Sequence, residues 1–296
     1  MRGSPRWLAV PVLLAASAVA SCGGSQGRAV VVASKNFTEQ AVLGELLAQR
    51  IETFAHLPVE RRFYLAGTFI CHQALLAGRA DVYVEYTGTA LTAVLKQRPL
   101  SDSGAVLKAV RFEYARRWGL EVLPPLGFDN SFAVIIRGDD ARRYHLATLS
   151  QAASRTPRWR LGVGYEFMER LDGYRGMVKT YGLAFREAPL VMDLGLLFRA
   201  LQEHQVDLVV GNSTDGLISA LGLAVLEDDK HYFPPYEAVP IVRQQALSDF
   251  PGLRAALEGL AGRISADDMR RMNYAVDGQH RDVAEVVREF LRSHHL

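Results

Sequence analysis

Apolar Val82, Val84 and Tyr86 alternate with Asp81, Tyr83 and Glu85, the period-two signature of a strand. Gly88 then predicts a sharp turn into the apolar segment Ala90 to Leu95. Polar and aromatic groups therefore collect where a strand gives way to a helix, the position at which open α/β sheets bind small molecules. The pattern returns 126 positions later, where Asp207, Leu208, Val210, Asn212, Ser213 and Asp215 match Asp81, Val82, Val84, Tyr86, Thr87 and Thr89. A second echo, at nearly the same offset, aligns Val31 to Gln40 with Leu161 to Arg170 and shares Phe37/Phe167 and Glu39/Glu169. Two α/β halves built on one plan are expected, with alternating strands and helices in each.

In the first half, strands are expected at Ala29–Ala33, Val59–Leu65 and Asp81–Tyr86, with helices at 41–51, 69–76 and 101–118; Asn36 or Thr38 is the expected cap of the first helix. Leu120 to Val122 and Pro124-Pro125 lead out of it. A first crossover is expected at Phe128 to Phe132, and a return crossover at His231 to Tyr236, where Pro234 and Pro235 stiffen the chain. Between them lie expected strands at 132–136, 160–164, 185–188, 206–210 and 225–226, with helices at 149–153, 194–202 and 214–221. Helices at 250–260, 265–275 and 281–294 close the chain. This organisation assigns residues 28–129 plus 237–296 to one lobe and 130–236 to the other.

The chain has 296 residues, 49% hydrophobic and 22% charged, a globular composition long enough for two lobes. Arg2 and Arg6 precede an apolar run, Trp7 to Ala20, that is too short for a comfortable membrane span and suits a signal peptide over residues 1–21. Val19-Ala20-Ser21-Cys22 resembles the bacterial lipobox, which makes Cys22 the expected lipid-bearing first residue of the mature protein, anchored at the periplasmic or cell-surface side of a membrane. Residues 22–27, rich in glycine, read as a flexible tether. Loss of residues 1–21 leaves 32 basic and 32 acidic side chains, a neutral balance with no basic stripe, so nucleic acid is excluded as a natural partner. Cys71 is then the remaining thiol, and no internal disulfide is expected.

Cys71-His72 fails as a nucleophile and base, because neighbours on a helix point about 100° apart. Asp228, Asp229 and His231 read as solvated turn residues, so no metal is expected. No phosphate loop, G-x-S-x-G elbow or HExxH is present, and neither a cofactor nor an enzymatic activity is expected. What remains is a set at strand ends and crossovers: Lys35, Phe37, Tyr83, Tyr86, Thr89, Phe132, Arg170, Asn212 and Tyr236. Aromatic faces attract a cation, while Lys35 and Arg170 suit a carboxylate. A betaine carries both groups.

These residues resemble the substrate-binding proteins of ABC importers for glycine betaine, choline and related quaternary amines. Ser34-Lys-Asn-Phe-Thr-Glu-Gln40, the Cys71-His72 segment, Tyr86-Thr-Gly-Thr-Ala-Leu91, Ser213-Thr-Asp-Gly216, Leu226-Glu-Asp-Asp-Lys-His231 and Phe233-Pro-Pro-Tyr236 carry the likeness, which runs over about residues 28 to 291. It implies a two-lobed periplasmic-binding-protein fold of type II-like form, a hinge with an interlobe cleft, a monomer, and delivery of ligand to a membrane permease. By the family's motif, the cation cage falls on Tyr86, Phe132, Asn212 and Tyr236, and the carboxylate site on Lys35, Thr89 and Arg170. Two cage positions depart from the usual tyrosine: Phe132 keeps the ring, whereas Asn212 offers no π-face. The expected ligand is a trimethylammonium compound, a glycine betaine-like betaine or choline. The alternative is a larger betaine with a polar group, such as ergothioneine or carnitine, which would use that opening better; a non-transport sensor or an enzyme on the same fold is the alternative from a different class.

Overall fold

Ten short strands, each holding at least one valine, sort into two mixed sheets of five in the computed structural model, which describes residues 28–296 and Gly3. The expected tether and Cys22, and the expected leader apart from Gly3, lie outside the described residues. The strands are β1 (Val30–Ala33), β2 (Val59–Arg62), β3 (Val82–Tyr86), β4 (Leu120–Val122), β5 (Phe132–Arg137), β6 (Leu161–Gly164), β7 (Leu190–Met192), β8 (Leu208–Asn212), β9 (Leu223–Leu226) and β10 (Ala238–Arg243). One sheet runs β2-β1-β3-β10-β4 and the other β7-β6-β8-β5-β9.

The two orders are the same plan. β3 and β8 each have a parallel neighbour on one side and, on the other, an antiparallel strand delivered by a crossover. β5 crosses into the second sheet and β10 crosses back into the first. The repeat seen along the sequence superposes β3 on β8 residue for residue, so Tyr86 pairs with Ala238 in one sheet as Asn212 pairs with Phe132 in the other. All five residues of β3 and all four of β6 are buried, as expected for strands covered on both faces. Even the helices after the delivered strands match: Gly138–Tyr144 follows β5 and Gln244–Asp249 follows β10, neither of which the sequence pattern had suggested.

The crossovers lie against each other as a short antiparallel pair. Asp129 bridges Glu237, Asn130 N–H donates to Tyr236 O at 3.1 Å, and Tyr236 N–H donates to the Asp129 carboxylate at 2.6 Å. Helices Leu253–Glu258, Ala266–Asp277 and Val283–Ser293 pack on the long helix α1 (Thr38–Phe54).

Several local expectations are corrected. Phe37, not Asn36 or Thr38, occupies the cap position of α1, and no side chain caps it; Thr38 Oγ1 instead donates to Asp277 at 2.6 Å. The strand expected at 185–188 forms as β7 at Leu190–Met192, because Pro189 supplies no N–H and the ladder begins after it. Leu120–Val122 is not merely an exit but an edge strand paired to β10. Gly88 does not turn the chain by positive φ: a Cβ there would stand 2.6 Å from the Tyr236 ring and 2.7 Å from Pro235 O. The helix that contains it opens with one α-turn, Thr87–Thr89, and continues as a π-helical turn, Ala90–Val94, a form frequent at functional sites.

Candidate functional site

A cleft of about 260 Å³ opens between the strand ends of the two sheets. Lys35, Phe37, Tyr86 and Thr89 line it from the first, and Phe132, Arg170 and Asn212 from the second. The two expected groups thus meet, with one exception in kind: Tyr236 stands just behind the wall, its ring 5.4 Å from that of Phe132 and its hydroxyl donating to Asp172 at 2.5 Å. Tyr83 does not reach the cleft; it is core, and its hydroxyl donates to Glu85 at 3.2 Å.

Strand β5 starts at Phe132, so its ring projects at the cleft edge, where Phe167 lies 4.9 Å and Phe233 5.5 Å away, centroid to centroid. This contiguous aromatic wall is wider than the residues marked by sequence, since Phe167 and Phe233 had been read as repeat and crossover positions only. Edge-on packing of the rings fixes their orientation and leaves π-faces available to a cation. Tyr86, at the end of β3, is oriented by its hydroxyl, which donates to Glu39 at 2.6 Å.

Both expected cations already hold an internal acid. Lys35 pairs with Glu85, both buried, and its Nζ stands 4.9 Å from the Tyr86 ring. Arg170 Nε and Nη2 donate to Asp172 at 2.9 and 2.6 Å, and Nη1 donates to Thr89 Oγ1 at 3.0 Å. Asp172, fully buried, also accepts from Thr92 Oγ1 at 2.8 Å, so the π-helical turn helps hold the pair. Burial works against the Arg170 charge, but Tyr236 and Asp172 outweigh it and hold its pKa above the usual range. Each of these cations is therefore paired before any ligand enters, and residual N–H groups of Lys35 and Arg170 and the Thr89 hydroxyl are the directed donors; Glu166 and Asp193, on the same lining, are in no ion pair among the described residues. Aromatic faces and unpaired carboxylates suit the cationic end of a zwitterion, and the donors suit its carboxylate.

Glu39 ties the halves together behind the cleft. Its carboxylate accepts from Tyr86, from Asn130 at 2.7 Å, from Asn273 at 2.9 Å and from Thr214. Burial raises its pKa, and the four donors pull against that rise. Neither Glu39, Glu85 nor Asp172 was marked as a site residue by sequence. Glu85 had a signal in its place beside Tyr86 on the organising strand; Asp172 had none, because a turn with no periodicity brings it to Arg170.

The model of the substrate-binding domain of ABC-type glycine betaine transport systems matches residues 28–293. The chain belongs to that family. The carnitine transport binding protein OpuCC of Listeria monocytogenes is 32% identical over 283 residues, covering 95% of this chain and 92% of that protein. The ergothioneine transport permease/ergothioneine binding protein EgtU of Helicobacter pylori (strain G27) is 33% identical over 263 residues, covering 88% of this chain and 47% of that protein. A crystal structure of a glycine betaine/carnitine/choline ABC transporter superposes with a TM-score of 0.75 at 34% identity, over 90% of this chain and 98% of that one. The two sheets are accordingly the cores of the two lobes of a periplasmic-binding-protein fold.

One contact spans the cleft mouth of this family member. Glu166, on the short helix Tyr165–Glu169, accepts at 2.8 Å from the N–H of Thr68, the first residue of the helix Thr68–Leu76. A carboxylate at a helix N-terminus satisfies an orphan donor and the helix dipole together. Gly67 is required for the approach, because a Cβ there would lie 1.9 Å from Glu166 Oε1. Glu166→Ala is expected to speed ligand release and weaken binding about 10- to 150-fold, the value of one charge-assisted bond, with little change in on-rate. Stopped-flow release measurements check this; an unaltered off-rate would deny Glu166 a part in closure.

Proposed function

We propose that this chain is the extracytoplasmic binding component of an ABC importer, that it captures a trimethylammonium betaine by lobe closure, and that it delivers it to a membrane permease. It binds and releases its ligand unchanged and catalyses nothing. The observation that carries the reading is the meeting, in one interlobe cleft, of an aromatic wall with the Lys35, Thr89 and Arg170 donors. Tyr86 and Phe132 supply ring faces for the quaternary nitrogen, with Tyr236 backing the Phe132 ring, Asn212 a polar edge, and Lys35, Thr89 and Arg170 the hydrogen bonds to the carboxylate. Residues 28–129 with 237–296 act as one lobe and 130–236 as the other, turning about the paired crossovers. The relatives whose names specify carnitine and ergothioneine support a betaine larger than glycine betaine, as does the opening left by Asn212.

Calorimetric titration with glycine betaine, choline, carnitine and ergothioneine tests this. Betaines are expected to bind at least tenfold more tightly than choline, which offers a neutral hydroxyl but no carboxylate to Arg170 and Thr89. Failure of all four to bind, or tightest binding of an unmethylated amino acid, would remove the quaternary-amine reading. Lipid attachment at Cys22 is part of the same proposal: labelled fatty acid should enter the wild-type protein and not Cys22→Ser, and an unlabelled, freely soluble wild type would refute the anchor.

A further inference from the structure

Beyond Asn212 the cleft does not end. A second chamber of about 320 Å³ adjoins it, and Asn36, Phe37, Asp193, Leu194 and Asn212 line both spaces. Beyond these its polar lining is mostly acceptors, Glu39, Asp215, Asp277 and Asn273 beside Thr38, with no lysine or arginine among the lining residues. This is unlike the rest of the fold, where the buried acids Asp81, Glu85 and Asp172 each hold an arginine or lysine. Asp215 accepts one backbone hydrogen bond, from Leu217 N–H at 2.9 Å, and Asp277 takes only the Thr38 hydroxyl. An independent sign of a missing partner comes from Asn273: it is 3% exposed, it lines the chamber, and its Oδ1 has no hydrogen-bond partner. Burial, and then the neighbouring Asp277 and Glu39 charges, push the Asp215 carboxyl up to about 7 against the pull of the Leu217 N–H. Negative charge held without a counter-charge is costly, and an entering cation removes that cost. Tyr64, also on the lining, adds an aromatic ring, a further acceptor for a cation.

We propose that the ligand is an elongated betaine carrying a second, positively charged nitrogen, which seats among Asp215, Asp277 and Asn273 while its trimethylammonium head occupies the aromatic cleft. The proposal rests on the betaine reading of the cleft and specifies the class of betaine. Asn212 is then the gate between the two spaces: a tyrosine there would stand where the ligand passes.

Two betaines that differ only in a terminal amine test it. Lysine betaine has a trimethylated α-nitrogen, a carboxylate and a free ε-ammonium; norleucine betaine is the same molecule without the ε-ammonium. Titrated against the full-length protein, lysine betaine is expected to bind at least tenfold more tightly than norleucine betaine, and the preference is expected to fall below about twofold in Asp215→Asn/Asp277→Asn. Equal binding of the pair to the wild type would overturn the proposal, and so would a preference that survives in the double variant. Glycine betaine titrated alongside separates the failures: if it binds and lysine betaine gains nothing, only the chamber assignment falls, whereas loss of all three removes the betaine reading itself. Replacing sodium chloride by N-methylglucamine chloride covers a free ion as occupant, since glycine betaine affinity that depends on sodium, with no preference for lysine betaine, would assign the chamber to an inorganic cation and overturn the proposal.

Discussion

Arg170→Ala is expected to weaken betaine binding at least tenfold, to leave choline almost unaffected, and to destabilise the protein by about 3–5 kcal/mol. The first two effects follow from the lost donors to a ligand carboxylate. The third follows from Asp172, which is fully buried and keeps only Thr92 and Tyr236 once the guanidinium is gone. A buried carboxylate without its cation is among the costliest defects a core can carry, whereas removing both charges together often costs little. Arg170→Met/Asp172→Asn is therefore expected to recover most of the stability and none of the betaine preference. Urea denaturation and calorimetric titration of wild type, single and double variant read the two quantities separately. A single variant as stable as wild type would mean that the Asp172 charge is not what Arg170 holds.

Asp215→Asn is expected to do the opposite and raise stability, by as much as ~4 kcal/mol at pH 8, as roughly three pKa units at 1.36 kcal/mol each imply. The folded-state pKa of Asp215 is raised to about 7 from an ordinary 3.8. The penalty for its charge is therefore absent below about pH 4, grows between these values, and is complete above about 7. Asparagine keeps the acceptor for Leu217 N–H and removes the charge, so the gain should vanish at pH 3.5 and be largest at pH 8. His72 runs the other way: burial lowers its pKa to about 4, which costs stability as pH falls from about 6.5. Comparing variant and wild type at each pH cancels that term. Thermal melts across pH 3.5 to 8 provide the check, and a shift that is flat with pH would show that the Asp215 charge is not strained in the fold. Should the gain appear, it also measures the attraction the chamber holds in reserve for a cation.

The parts of this protein that were legible in its sequence are those written in periodic patterns. Alternation along 81–86 and its echo 126 positions later marked two strands of one plan, and the match of Asn212 to Tyr86 placed both at the cleft without any knowledge of the sheets, although the second strand, expected at 206–210, forms two residues later at Leu208–Asn212. Pro234 and Pro235 marked the return crossover in the same way. The partners of the site's cations were not legible. Arg170 meets Asp172 through an irregular turn, and Lys35 meets Glu85 across fifty residues, so no spacing rule announces either pair. The reading of Lys35 and Arg170 as free charges awaiting a carboxylate had to give way to donors already half spent. The acidic chamber was hidden for a further reason: Asp215 follows β8 of the second sheet whereas Asp277 ends the helix Ala266–Asp277 packed on α1, and the two meet only in the folded chain.

The position of β10 between β3 and β4 also fixes an order of assembly. The second sheet has all its strands once residue 226 is present, and it can close on contacts within one continuous stretch. The first cannot: β4 touches no strand but β10, so it has nothing to pair with until residues 238–243 arrive. A chain growing from its N-terminus thus carries an unfinished first lobe, with β3 open along the edge that bears Tyr86, while the second lobe is made. The two crossovers about which the lobes are proposed to turn are also what delay completion of the protein, because the first sheet must wait for the second crossover to bring β10 back.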